Sequence, residues 1–266
     1  MQKLKPSDSG FWILTQASCV AIEAGDLPFG TALKMGICGL LGKKIGMWNG
    51  QPVWWVEESI SQNFNYVSLR SLLHLPEQQF CLLNRAIGLN HFFKTHQFCG
   101  KCGRKVQFVK NEWAVQCVNE SCGQRFYPVI CPSIIVVVRR GQEMLLVNHL
   151  RHKGGIYTAV AGFVEIGETF EQCVQREVLE ETGIKIKNIR YFGSQPWSFP
   201  NSQMVGFLAD YDSGELKFQV DEIYDGKWQH CDDPFPELPP KGTIALQLIE
   251  ATVALCKIEK ISKEKQ

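Results

Sequence analysis

No stretch of this sequence approaches the roughly 18 consecutive apolar residues that a membrane-spanning helix requires. The N-terminus, Met1-Gln2-Lys3-Leu4-Lys5-Pro6-Ser7-Asp8, has no apolar run behind its positive charges, so no secretory signal is expected. Net charge is scarce as well. Lys and Arg total 28 against 27 Asp and Glu, a balance of +1 that by itself predicts neither a nucleic-acid nor a membrane partner. Internal repeats and low-complexity segments are also missing, which excludes a solenoid or a disordered linker protein. What remains is an ordinary globular composition, 45% apolar and 21% charged, over 266 residues. That length suits one large domain or two to three small ones. The expected location is cytoplasmic, a reducing compartment in which the eleven cysteines serve as thiols or metal ligands rather than disulfides.

Along the chain, residues 1 to about 75 read as short strands and turns, including Gly10-Phe11-Trp12-Ile13-Leu14 and Pro52-Val53-Trp54-Trp55-Val56. From Pro76 to Gln97 the period changes. Leu82, Leu83, Ala86, Ile87 and Phe93 recur at three- and four-residue steps, as on a buried helix face. The run Ser133-Ile134-Ile135-Val136-Val137-Val138 reads as a strand covered on both faces, followed by strands at 143–147 and 205–209. A closing helix is expected from a Thr243 N-cap through Leu246, Ile249 and Val253, with the charged tail from Lys257 frayed.

Four of the cysteines are paired in spacing. Cys99-Gly100-Lys101-Cys102 is followed by fourteen residues and then Cys117-Val118-Asn119-Glu120-Ser121-Cys122. Two close pairs joined by a hairpin form the arrangement of a structural four-thiolate zinc ribbon, with no ligand position left for a reactive water. Val106, Phe108, Trp113 and Val115 alternate between the pairs as hairpin strands would. Four unmetallated thiols are the alternative. The other seven cysteines (19, 38, 81, 131, 173, 231 and 256) are expected to act as small buried hydrophobes. Around the ribbon, Lys94, Lys101, Arg104, Lys105 and Lys110 precede the first acid, Glu112; this is either a solvated basic face or a weak track for phosphates.

The richest chemistry lies at 162–184. Thr169 is placed to cap a helix with Glu171 in its first turn, and Gly183 fits the left-handed residue that ends it. Glu177, Glu180 and Glu181 stand three and four residues apart and so project from one face. Such crowding destabilises a helix unless a cation offsets it, and an oxygen-only set suits Mg²⁺ or Mn²⁺. A plain acidic surface helix is the competing interpretation of a bare E-x-x-E-E.

The full spacing goes further. Gly162, five residues, Glu168, seven residues, Arg176-Glu177-Val178, one residue, Glu180-Glu181, one residue, Gly183-Ile184 resembles the Nudix box at every fixed position. Resemblance to the Nudix hydrolases implies an α/β/α sandwich around a mixed sheet and hydrolysis of a nucleoside diphosphate linked to another group. It makes Glu177 and Glu181 metal ligands, with Glu180 a ligand or their neighbour and the Ala161 carbonyl completing the shell. Arg176 would orient a glutamate, and Glu181 would take the proton from water.

Downstream, Ser194-Gln195-Pro196-Trp197-Ser198-Phe199-Pro200-Asn201-Ser202 displays two aromatic faces on a proline-stiffened loop. Taken alone, Trp197 and Phe199 read more readily as core plugs than as a heterocycle clamp. The stretch resembles the S-Q-P-W-P-F-P-x-S signature of the NADH pyrophosphatase and NAD-capped RNA hydrolase (NudC-like) family, which also shares the ribbon. This resemblance covers about residues 90–255 and, more thinly, the N-terminus. It implies a further metal ligand at Glu222 and a homodimer. It also implies substrate contacts from Arg70, Glu112, Tyr127, Phe163, Gln195, Pro196, Trp197, Ser198, Phe199, Pro200, Asn201, Ser202 and the backbone of Ala245.

Three departures stand out. Ser198 replaces the usual proline, which predicts a less rigid loop; the second cysteine pair has four intervening residues rather than two; and Ala24 stands where relatives have a substrate-binding lysine. The expected organisation is α+β: an N-terminal α/β domain at 1–93, a zinc ribbon at 94–128, a Nudix domain at 129–258 and a charged tail at 259–266. The expected activity is metal-dependent (Mg²⁺ or Mn²⁺) cleavage of NAD(H) to NMN(H) and AMP, with removal of NAD caps from RNA. A broader Nudix hydrolase, or a non-catalytic ribbon that binds RNA or protein, are the alternatives.

Overall fold

The computed structural model describes residues 1–56, 64–150 and 155–264. The chain forms two units, Met1–Ile130 with Trp197–Asn201, and Cys131–Pro196 with Ser202–Gln266. In the first, a seven-stranded sheet is built from β1 (Gln2–Lys3), β2 (Ser9–Gln16), β3 (Cys19–Ile22), β4 (Phe29–Thr31), β5 (Leu41–Trp48), β6 (Gln51–Val56) and β7 (Asn65–Ser68). Its order is β1-β5-β6-β2-β3-β7 with β4 against β2, and only β2 and β6 run parallel. The apolar run of β2 faces both ways, as the period of two in a strand requires. Phe11 and Ile13 join one core with Trp55 and helix α1 (Glu77–Thr95), while Trp12 and Leu14 join another with Met35 and Ile37. Each buried indole finds an acceptor: Trp12 donates to the Gly30 carbonyl (2.8 Å) and Trp55 to Thr15 Oγ1 (3.2 Å).

The ribbon belongs to this first unit. β8 (Val106–Phe108), β9 (Val115–Cys117) and β10 (Arg125–Phe126) form a small sheet, with Val106 opposite Cys117 and Phe108 opposite Val115. Its apolar side chains Val106, Trp113, Val115 and Phe126 are continuous with the α1 core.

The second unit is a mixed six-stranded sheet between two helices. β11 (Cys131–Arg140), β12 (Glu143–His149), β13 (Val160–Phe163), β14 (Lys185–Trp197), β15 (Ser202–Ser213) and β16 (Ile223–His230) stand in the order β14-β15-β11-β12-β16, with β13 on β11. The run 133–138 is the central strand. Its Ile134, Val136 and Val138 pack with Cys173, Val174 and Val178 of helix α2 (Phe170–Thr182). Ile135 and Val137 pack on the other face with Ile244, Leu248 and Ile249 of helix α3 (Ile244–Glu264). Each fully buried aliphatic side chain contributes about 1.5–3 kcal/mol relative to exposure, so both helices are held by this one strand's two faces.

Two expectations are corrected. Among the seven scattered cysteines only Cys173, Cys231 and Cys256 are buried; Cys38 is exposed, and Cys19, Cys81 and Cys131 are half-buried. The tail expected to fray is helical through Glu264, because Arg139 pairs with Glu259 (3.0 Å) and Lys260 with Asp232 (2.8 Å); residues 265–266 lie outside the described residues. Among the described residues no helix is long and apolar enough to cross a membrane.

Candidate active site and zinc centre

In the second unit, β13 delivers Ala161, Gly162 and Phe163 beside β11, opposite Ile135, Ile134 and Ser133. A loop then leads into α2, whose entry is a capping box. Thr169 Oγ1 accepts the Gln172 N–H (3.2 Å), and the Gln172 side chain accepts the Thr169 N–H (2.8 Å). Glutamine three residues after Thr169 is the sequence signal for this box. Gly183 ends the helix at φ 74°, as its left-handed position requires.

Arg176 organises the carboxylates. Its Nε and Nη2 grip Glu168 in a fork at 2.8 and 2.9 Å, Nη1 reaches Glu177 (2.8 Å) and Glu180 (3.1 Å), and Nη2 also donates to the Phe163 carbonyl (3.0 Å). These charge-assisted bonds hold the Glu168 carboxyl down to about 2 and push the guanidinium still higher. Glu168 was legible as a fixed position of the motif, but its pairing with Arg176 across seven residues was not. Burial raises the Glu177 carboxyl; Arg176 opposes the rise, and the charges of Glu180 and Glu222 add to it. Glu181 is only 1% exposed at the end of the same helix. Glu222 is brought alongside by backbone straps from its loop to the end of α2, Lys217 N–H to Thr182 (2.9 Å) and Gln219 N–H to Glu181 (3.0 Å).

By donor chemistry the residues here suit a hard divalent cation, although among the described residues only the four ribbon cysteines form a group with ligand atoms within 4.8 Å of one another, and Arg176 holds Glu177 and Glu180. The Ala161 carbonyl and the carboxylates of Glu177, Glu180, Glu181 and Glu222 are an all-oxygen set. Gly162 lies closest to that set: a Cβ there would stand 1.9 Å from the Glu177 carboxylate, so any larger residue would require that side-chain end to move.

The remaining sequence-predicted residues of this unit are placed as follows. Phe163 is exposed (57%). Gln195 accepts the Ile244 N–H (2.9 Å) and donates to the Gly242 carbonyl (2.7 Å), so its amide fixes the first turn of α3, where the nearly buried Ala245 sits. Ser202 is buried where β15 begins opposite Cys131, and Pro196 is half-buried at the end of β14.

The first unit holds the others in two groups. Trp197 and Phe199 meet edge to face (centroids 4.9 Å) and pack against the α1 core, as the plug interpretation expects. Arg70 lies 4.5 Å over the Phe199 ring and 5.8 Å from that of Trp197, a cation–π arrangement. Asn201 donates to the Val129 carbonyl (3.0 Å), and a cis peptide joins Phe199 to Pro200. Ser198 is held by two hydrogen bonds to Asn84. In the second group, the Glu112 carboxylate accepts from Arg125 (3.1 Å) and Tyr127 (3.3 Å), and its carbonyl accepts from Lys43 (2.9 Å), which stands over Trp113. Sequence reasoning missed Lys43 and Arg125, which join Glu112 only through tertiary pairing. Ala24 is exposed at φ 51°.

In the ribbon, the four Sγ atoms of Cys99, Cys102, Cys117 and Cys122 all lie within 4.8 Å of one another. The cross-pair distances of 3.8 Å (Cys99–Cys122) and 3.4 Å (Cys102–Cys117) suit ligands around one tetrahedral ion. A backbone hydrogen bond from Arg104 draws the Cys102 thiol down to about 7, toward the thiolate a metal takes. The wider second turn is closed by Asn119, whose carbonyl accepts from Cys122 and Gly123 (both 2.9 Å) and whose side chain accepts the Ser121 N–H (3.2 Å). The five basic residues from Lys94 to Lys110 are all exposed.

Comparison with known proteins agrees with both sites. Residues 130–250 match the NUDIX domain family and residues 94–127 the NADH pyrophosphatase zinc ribbon domain. Over nearly the full length, the chain is 61% identical to the NAD-capped RNA hydrolase NudC of Pasteurella multocida, covering 96% of this chain and 97% of that protein. It is 60% identical to the proteins of that name from Mannheimia succiniciproducens (96% and 98% covered) and from a strain of Haemophilus influenzae (97% and 98% covered).

Proposed function

The chain belongs to the NAD-capped RNA hydrolase branch of the Nudix hydrolases, and from that premise we propose that it cleaves the pyrophosphate of NAD(H) and of NAD caps on RNA. Water adds to the adenosine-side phosphorus as the bridging oxygen leaves. The products are NMN(H) and AMP, or NMN and a 5′-monophosphate RNA when the adenosine opens an RNA chain. The observation that carries this reading is the cluster of Glu168, Glu177 and Glu180 gathered by Arg176, with Gly162 lying against the Glu177 carboxylate.

Ala161, Glu177, Glu180, Glu181 and Glu222 would hold Mg²⁺ or Mn²⁺, which supplies Lewis acidity toward the phosphate and the attacking water. Around it the chain's own groups do the rest. Arg176 holds Glu168, Glu177 and Glu180 in register, and buried Glu181 accepts the proton from water. Phe163 and Tyr127 offer exposed aromatic faces for the adenine. In this reading Trp197 and Phe199, backed by Arg70, belong to the segment that recognises the dinucleotide, and Glu112, Gln195, Pro196, Ser198, Pro200, Asn201, Ser202 and the backbone of Ala245 are the further substrate contacts. Zinc in the four-thiolate site is structural. Those four thiolates need a reducing compartment, which supports a cytoplasmic enzyme. The exposed run Tyr127, Val129 and Ile130 supports a homodimer, to be checked by light scattering.

Product analysis by mass spectrometry tests the substrate. With NADH, NAD⁺, ADP-ribose, diadenosine tetraphosphate and NAD-capped RNA supplied together, release of NMN(H) is expected with Mg²⁺ or Mn²⁺ and none with EDTA. Preferential cleavage of ADP-ribose or the tetraphosphate would keep the Nudix chemistry and overturn the substrate.

Gly162→Ala tests the cradle. Its methyl would sit where the Glu177 carboxylate now lies, so activity at fixed metal is expected to fall roughly 10- to 100-fold, with part recovered at higher Mn²⁺. An unchanged metal titration would remove Glu177 from the ligand set.

A further inference from the structure

We infer that Asn84 is a positioning residue for the 197–201 segment, its side chain and carbonyl latching Ser198 to α1. The inference rests on the reading of that segment as a substrate contact.

Asn84 is a polar residue in the middle of α1 that is only 2% exposed. Its Nδ2 donates to the Phe80 carbonyl one turn back (2.9 Å), which fixes the orientation of the amide and turns Oδ1 outward. Oδ1 then accepts the Ser198 N–H (3.0 Å), and the Asn84 backbone carbonyl accepts the Ser198 hydroxyl (3.0 Å). One turn further along the helix, Gly88 faces the same hydroxyl, which would stand 3.5 Å from a Cβ there, an ordinary contact. Ser198 is itself nearly buried, so neither of its groups has ready access to water.

The logic is one of donors and acceptors. A proline at 198 would carry no N–H and would set its own φ, so it would need no acceptor beneath it. Serine brings an N–H that burial obliges the fold to satisfy, and Asn84 satisfies it. The residues flanking Ser198 are Trp197 and Phe199, in edge-to-face contact with each other and stacked under Arg70. Holding position 198 to α1 therefore sets the pose of both rings. Asn84 bonds to Ser198, the residue between the two rings, and acts through it.

The test is steady-state kinetics on NADH with zinc-loaded full-length enzyme, comparing wild type, Asn84→Ala, Ser198→Pro and the double variant. Each single change leaves a buried donor or acceptor without its partner and is expected to raise KM about tenfold, with kcat within about twofold. The double variant removes donor and acceptor together, and its KM is expected to return to within about threefold of wild type. A structural role alone would not produce that rescue. Single effects that multiply in the double variant, or a fall in kcat at unchanged KM, overturn the inference. Should Asn84→Ala fail to fold, Ser198→Pro decides alone: a raised KM upholds the latch, and a wild-type KM overturns it. Wild-type enzyme silent on NADH overturns the substrate reading, and the latch's role with it; active wild type without coupling overturns the latch only.

Discussion

Glu181→Gln is expected to lower kcat on the order of 10³-fold while leaving the protein folded. Glutamine preserves the shape of the side chain and removes its charge and its capacity to accept a proton, a contribution worth roughly 10²–10⁴ in positioned acid–base catalysis. Glu181 is 1% exposed, in a helix that also carries Glu177 and Glu180. Its helix end is secured independently of the carboxylate, by Gly183 and by the backbone bonds from Lys217 and Gln219. Neutralising one of several crowded carboxylates relieves repulsion in the metal-free protein, so the melting temperature should hold or rise. The measurement is kcat at saturating Mn²⁺ beside a thermal melt. Full turnover in a folded Glu181→Gln variant would take Glu181 out of the chemistry.

Loss of the zinc is expected to have the largest effect on stability. The ribbon strands are three, three and two residues long, too little hydrogen-bonded sheet to stand without a cross-link. Structural zinc supplies about 10–16 kcal/mol of binding free energy to small zinc domains at neutral pH. Cys117 is buried, and its neighbour Val115 belongs to the α1 core, so the ribbon and the N-terminal sheet are one packing unit. Cys117→Ser should release the bound zinc, close to one ion per chain in the wild type, and lower Tm on the order of 10 °C. Metal analysis and circular dichroism read both. Zinc-free wild type melting at the same temperature as the loaded protein would refute a structural metal.

The helices, the strands β2, β6, β11, β12 and β15 and the ends of α2 were legible because each rests on a local rule, whereas β14, the longest strand, was not read and its end at Gln195–Trp197 was taken for loop. Thr169 and Gly183 act within a turn of their own positions, and the run from Ile134 to Val138 announces a doubly covered strand by composition alone. Glu177, Glu180 and Glu181 were legible for the same reason, as helical spacing puts them together without knowledge of anything else. The cysteine pairs carried their own geometry in their spacing.

What stayed hidden depends on residues far apart in the chain. Nothing near Ser198 indicates Asn84, 114 positions earlier, because only packing brings α1 beneath it. Gln195 read as a substrate contact, yet its amide joins backbone groups 47 and 49 residues away. The scattered cysteines were assigned to the core by residue type, and the fold buries fewer than half of them. Sequence by itself determined the local part of the two candidate metal sites, Glu177, Glu180 and Glu181 on one helix and the two cysteine pairs, because a helix or a tight turn imposes those short spacings, while Ala161 and Glu222 come near α2 only through the fold. Tertiary structure alone decided how the 197–201 segment is held, because a buried amide N–H donates to any oxygen the fold brings within about 3 Å, and no local rule says from where.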